Sequence, residues 1–170
     1  MNLVIDYLRL RRAVGALGVL LPVALLLVAG PQDSLSAYYA TPARDLFVGV
    51  LWTIGALLLA YRGHDRGDRI VSAVSGLALL LVAMAPVGGP AHALHVGAAV
   101  VFFTSTAAMC ERFGRGGYRR RTFLGLGATI LLALLAAAAG APLLLAESVA
   151  VVAFGAAWLL KGRALETAFR

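Results

Sequence analysis

Charge is the first thing this sequence is short of. Only 14% of its 170 residues are Asp, Glu, Lys or Arg, against about 25% in soluble domains. So few charges cannot clothe a water-facing surface of ordinary size, which argues against a soluble globular domain. Cysteine occurs once, at Cys110, so no disulfide can form within the chain. Linkers, low-complexity tails and solenoid repeats are missing, so residues 1–170 read as a single domain. Two catalytic signatures are missing as well. There is no HExxH to hold zinc and no GxSxG nucleophile elbow.

What is there is apolar: 61% of the residues are hydrophobic. They gather in long runs at about 13–30, 46–61, 70–86, 92–110, 123–139 and 143–160. Each approaches the ~20 residues that cross a bilayer core as a helix. The runs are rich in Leu and Ala and do not alternate, which favours helices over barrel strands. Phe123 to Leu160 is too long for one crossing, and Gly140-Ala141-Pro142 marks a turn within it. The expectation is an all-α, polytopic bundle of six transmembrane helices. Thr41-Pro42 is expected to open the second helix, Asp68 to cap the third and Thr122 the fifth. Pro22 falls inside the first span. Small residues at Gly15, Gly18, Gly49, Ser72, Ser75, Gly76, Gly125, Thr129 and Gly155 are expected to let helices approach.

The net charge of +7 is distributed unevenly. Of the fifteen Lys and Arg, all but Arg44 fall on one side of the expected membrane. The positive-inside rule then puts both termini in the cytoplasm of a cell with this protein in its inner membrane. The same placement, basic residues flanking apolar runs, favours membrane lipids over nucleic acid as partners. This includes the cluster Tyr118-Arg119-Arg120-Arg121. Trp158 and Tyr61 are expected in the inner interfacial belt, and the inner side to carry solvated arginines and little else. A cleaved signal peptide over residues 1–30 is disfavoured by its long apolar core and by the absence of a clean cleavage site.

Polar residues instead concentrate on the outer side. Asp33, Ser34, Ser36, Tyr38, Tyr39, Arg44 and Asp45 fill the first outer loop and the start of the second helix. His92 and His95 open the fourth helix, and Glu147 lies one to two turns into the sixth. A carboxylate in a span costs about 2.5–3.5 kcal/mol at the centre, so Glu147 calls for a partner: Arg44, His95 or a tyrosine. Arg44 would pair with Glu147 or bind an anionic group. Asp45 suits a helix N-terminus. His92 and His95, three apart, share a face; with Asp45 or Glu147 they are the only candidates for zinc, and no cofactor is otherwise expected. Ser34 and Ser36 invite a nucleophile reading with His95 as base, set against ordinary loop chemistry. Tyr38 and Tyr39 read most simply as interfacial anchors.

Four blocks carry a resemblance: SLSAYYATPARDLFVG, YRGHD, His95 ahead of AAVVFF, and ESVAVVAFGAAWLLKG. Together they resemble a family of uncharacterised bacterial six-helix membrane proteins. The resemblance implies that Ser36, Tyr38, Arg44, Asp45, His95 and Glu147 act as a set. More distantly, Ser-x-Ser-Ala…Pro-x-Arg after the first helix is similar to the six-helix family of autophagy modulators and GPI-anchor lipid-remodelling proteins. That likeness covers one loop and implies lipid-related biology.

The leading expectation is therefore an outward-facing polar pocket that binds a lipid or other amphiphile. One alternative is a membrane-embedded hydrolase using His95 with Asp45 or Glu147, with or without a metal. Another is a non-enzymatic assembly component. Transport is disfavoured because no inverted repeat is visible. Neither turnover nor oligomeric state follows from the sequence.

Overall fold

The computed structural model describes residues 3–168 apart from 116 and 118, and the side chains from Tyr7 to Gly162. Tyr118 and the side chains of Arg163 and Arg170 lie outside that set. Six long helices account for most of the chain: α1 (Leu3–Ala29), α2 (Arg44–Ala60), α3 (Arg66–Met84), α4 (His92–Gly114), α5 (Arg120–Ala138) and α6 (Leu143–Ala168). All but α2 are long and apolar enough to cross a membrane. At 17 residues α2 is the shortest. Leu27, Leu132, Leu135 and Leu145 are each more than 60% exposed. That surface is one that lipid, not water, would cover.

Successive helices run antiparallel and pack side by side, and α1 closes the ring against α6. α4 also reaches across to α6. The order in space is thus the order in sequence. Buried Leu25, Ile54, Phe102 and Phe154 fill the middle. Glycine makes close approaches at three helix pairs. A Cβ on Gly155 would lie 2.7 Å from Gly15 O and 2.7 Å from Val19 N, fixing the α1–α6 contact. Gly55 and Gly76 do the same for α2 and α3, and Gly127 lets α5 onto α4. Gly49 and Gly125 differ from expectation, since nothing lies within 4 Å of either position. Thr129 Oγ1 donates to Gly125 O in its own helix.

Local signals set the helix ends, not always where expected. Pro22 lies inside α1 without ending it. Gly30, at φ 68°, follows the last turn of α1 in the left-handed region. α2 begins at Arg44; Thr41 Oγ1 accepts from Ala43 N at 3.1 Å just before it. Asp65, not Asp68, caps α3 by accepting from Asp68 N at 2.8 Å. Asp68 accepts in turn from His64 N. α5 starts two residues before Thr122, without a side-chain cap. It ends in paired bonds, Ala141 N to Ala136 O and Gly140 N to Ala137 O, with Gly140 at φ 93°. This is a Schellman closure, and Pro142 then prevents continuation.

The two ends of the ring differ. One carries the α1 start, the α2–α3 turn, the α4–α5 connection and the end of α6. Here Arg112 joins Asp68 (2.6 Å from Nε) and Asp65. Arg11 is fully buried at this end. Its guanidinium lies 4.5 Å from the Tyr7 ring centre, donates to Tyr61 Oη at 2.8 Å and to Lys161 O at 3.3 Å. Tyr61 packs edge-on against Trp158 and Phe113. Tyr61 and Trp158 are therefore core residues around a buried cation rather than a surface belt. The expectation of nothing but solvated arginines here is corrected by the same cluster.

Candidate functional site

The opposite end gathers most of the polar groups singled out in the sequence. Its scaffold is the connection between α1 and α2, which contains a short 3-10 turn over Ser36–Ala40. Leu144 N donates to Asp33 O at 3.1 Å, so the connection satisfies a first-turn N–H of α6. Tyr38 is completely buried and donates to Gly30 O at 2.5 Å, pinning the turn to the end of α1. It is not the interfacial anchor expected. Ser34 Oγ accepts from Ala37 N at 3.0 Å, and Thr41 Oγ1 donates to Tyr38 O at 2.8 Å.

Glu147 finds neither Arg44, His95 nor a tyrosine. Its carboxylate accepts from Leu35 N at 2.6 Å and also faces the N–H of Ser36. A hydrogen-bond acceptor is thus set at the start of the 3-10 turn, where N–H groups lack helical partners. The consequence is positional: α6 holds the backbone that carries Ser36.

His95 is 5% exposed. Its Nδ1 lies 2.6 Å from Ala85 O, the carbonyl just past the end of α3. A carbonyl only accepts, so Nδ1 carries the proton. In the neutral ring Nε2 is then the acceptor, and Ser36 Oγ, 2.9 Å away, donates to it. The pairing links three elements: α4, the end of α3 and the 3-10 turn.

Beside this pair lies a cavity of about 270 Å³ between α4, α5 and α6. Ser34, Ser36, His92, His95 and Glu147 line its polar part. The rest is apolar, and much of it is alanine: Ala99, Ala133, Ala137, Ala138, Ala146 and Ala150. The space exists because these side chains are too short to fill it. Along α4 the lining runs from His92 to Phe103, about 16 Å at 1.5 Å per residue. A smaller void of about 50 Å³ adjoins Ser36 and Glu147 on the side of Leu51 and Phe102.

Five of the ten polar residues singled out on the outer side therefore meet at one cavity. Asp33, Tyr38, Tyr39, Arg44 and Asp45 do not line it. Tyr38 is a buried strut. Arg44 donates to Tyr39 Oη at 3.1 Å and stacks 4.6 Å over its ring, on the exposed surface. Asp45 is exposed in the first turn of α2. No three His, Cys, Asp or Glu lie together as metal ligands among the described residues. Both nitrogens of His95 are already engaged. Two contributors were missed. The Ala85 carbonyl carries no side-chain signal at all. The alanine wall of α5, at Ala133, Ala137 and Ala138, was legible only as small residues in an otherwise Leu-rich helix.

No family model, curated protein or solved structure matches the chain.

Proposed function

We propose that this is a six-span inner-membrane protein, both termini cytoplasmic, whose outward-facing cavity takes the acyl chain of a lipid or other amphiphile. The observation that carries the reading is the cavity itself. It is apolar along its length and polar only where Ser34, Ser36, His92, His95 and Glu147 meet it. An amphiphile has that same division, and ligand pockets generally combine an apolar lining with a few placed polar groups.

Several features support the orientation and span count. α2 runs between α1 and α3 in the ring, and its 17 residues reach about 25 Å. Nearly all the Lys and Arg of the sequence gather at the end opposite the cavity, which favours that end as cytoplasmic. The likeness to the bacterial six-helix family, and more distantly to the lipid-remodelling family, belongs to this proposal and fits a lipid ligand.

Native mass spectrometry of protein purified in mild detergent tests the reading. Wild type is expected to retain a lipid-sized mass. Ala137→Trp, which puts a large ring into the cavity, is expected to lose it while melting as a folded bundle. Equal lipid content in the two would refute it.

A further inference from the structure

We propose that Ser36 is an acyl-accepting nucleophile activated by His95, making the cavity the acyl pocket of a membrane-embedded esterase or acyltransferase. This rests on the amphiphile-binding reading and adds a reaction to it.

The geometry differs from the one expected from the sequence, in which Asp45 or Glu147 served His95. Asp45 is exposed on α2, and Glu147 is committed to backbone N–H groups. The ring is instead oriented by the Ala85 carbonyl, 2.6 Å from Nδ1. That contact fixes the tautomer that leaves Nε2 free to accept, and the atom it accepts from is Ser36 Oγ at 2.9 Å. A nucleophile within hydrogen-bond reach of a base, with the base held by a third group, is the arrangement that nucleophilic catalysis requires. Both side chains are more than nine-tenths buried, yet both line the cavity. An acyl chain lying along α4 and α5 would carry its ester carbonyl to this end.

The step balances without redox chemistry. Ser36 Oγ bonds to the ester carbonyl carbon as its proton passes to His95 Nε2. The C–O bond to the leaving alcohol then breaks, and Nε2 returns the proton to that alkoxide. Ser36 is left as an acyl ester. Water, or a second alcohol, gives its proton to Nε2 and attacks the acyl carbon. Ser36 leaves with that proton, and a fatty acid or a new ester is released. Ser34 is assigned the hydrogen bond to the developing oxyanion. Its Oγ accepts from Ala37 N, so its own hydrogen is available, and it lines the same cavity.

The test is covalent labelling of the full chain in detergent with a long-chain alkyl fluorophosphonate, read by intact mass and peptide mapping. One adduct, on Ser36, is expected. Labelling should fall at least about 100-fold in His95→Gln, the lower range for loss of a general base. Ser36→Ala should carry no adduct. Should that variant not fold, mapping on wild type still locates the adduct. Absence of labelling while lipid is retained would overturn the nucleophile and leave the binding reading standing. Absence of both would overturn both. An adduct on Ser34 or elsewhere would overturn the assignment of Ser36.

Discussion

Glu147, on α6, accepts the backbone N–H of Leu35 at 2.6 Å, 112 residues away in sequence. A carboxylate inside a span is costly unless its oxygens are satisfied. Here the satisfying donors belong to the turn that carries Ser36, so one contact both stabilises the acid and sets the site.

Removing that acceptor has a graded cost. Glu147→Ala leaves at least one buried N–H without a partner, and should cost about 1–3 kcal/mol. Glu147→Gln keeps a carbonyl oxygen and should cost less. Hydrogen exchange reads the effect where it arises: Leu35 and Ser36 amides should lose protection first. Unchanged protection in Glu147→Ala would contradict the tether.

Glycine positions divide into two groups. Gly155→Val forces atoms into Gly15 O and Val19 N, and should cost about 1–3 kcal/mol or more as overpacking. Gly49→Ala and Gly125→Ala meet nothing, and should be neutral or gain about 0.5–1 kcal/mol of helix propensity. Thermal melts of the three variants would check both directions together.

Asp65 makes the end opposite the cavity sensitive to acid. Its carboxyl titrates below the ordinary range because Asp68 N–H donates to it, with Arg112 alongside. A lowered folded-state pKa means the anion stabilises the fold above the unfolded value of about 3.9. That contribution is lost as pH falls through the lower folded value. The melting temperature of wild type should exceed that of Asp65→Asn near about pH 6, and the gap should close towards about pH 3. A gap independent of pH would contradict the assignment.

Much of the architecture was readable because apolar run length carries it. The six runs became the six helices, and Gly140-Ala141-Pro142 became the turn between α5 and α6. Gly15, Gly18, Gly76 and Gly155 were read correctly as contact points. Gly49 and Gly125 have the same composition but point away from their neighbours, which helical facing decides and a single residue type does not. The site was legible as a list of polar residues on one side, but not as an arrangement. Glu147 chose backbone N–H groups over Arg44, and His95 chose a backbone carbonyl. Main-chain partners leave no mark in a sequence. Arg11 shows the reverse error: counted among flanking positive charges, it is buried among Tyr7, Tyr61 and Phe113.

The most direct test of the central claim is where an acyl chain sits. A fatty acid bearing a photoactivatable diazirine near its terminal methyl group would be incorporated and crosslinked, and the labelled peptides mapped. The account predicts labelling concentrated on the cavity walls, around Phe103 on α4, Ala133 and Leu134 on α5, and Ala150 on α6. It also predicts that Ala137→Trp removes that labelling. Crosslinks spread over the outward faces, at residues such as Leu27 and Leu132, and indifferent to Ala137→Trp, would mean that lipid only surrounds the bundle and does not enter it.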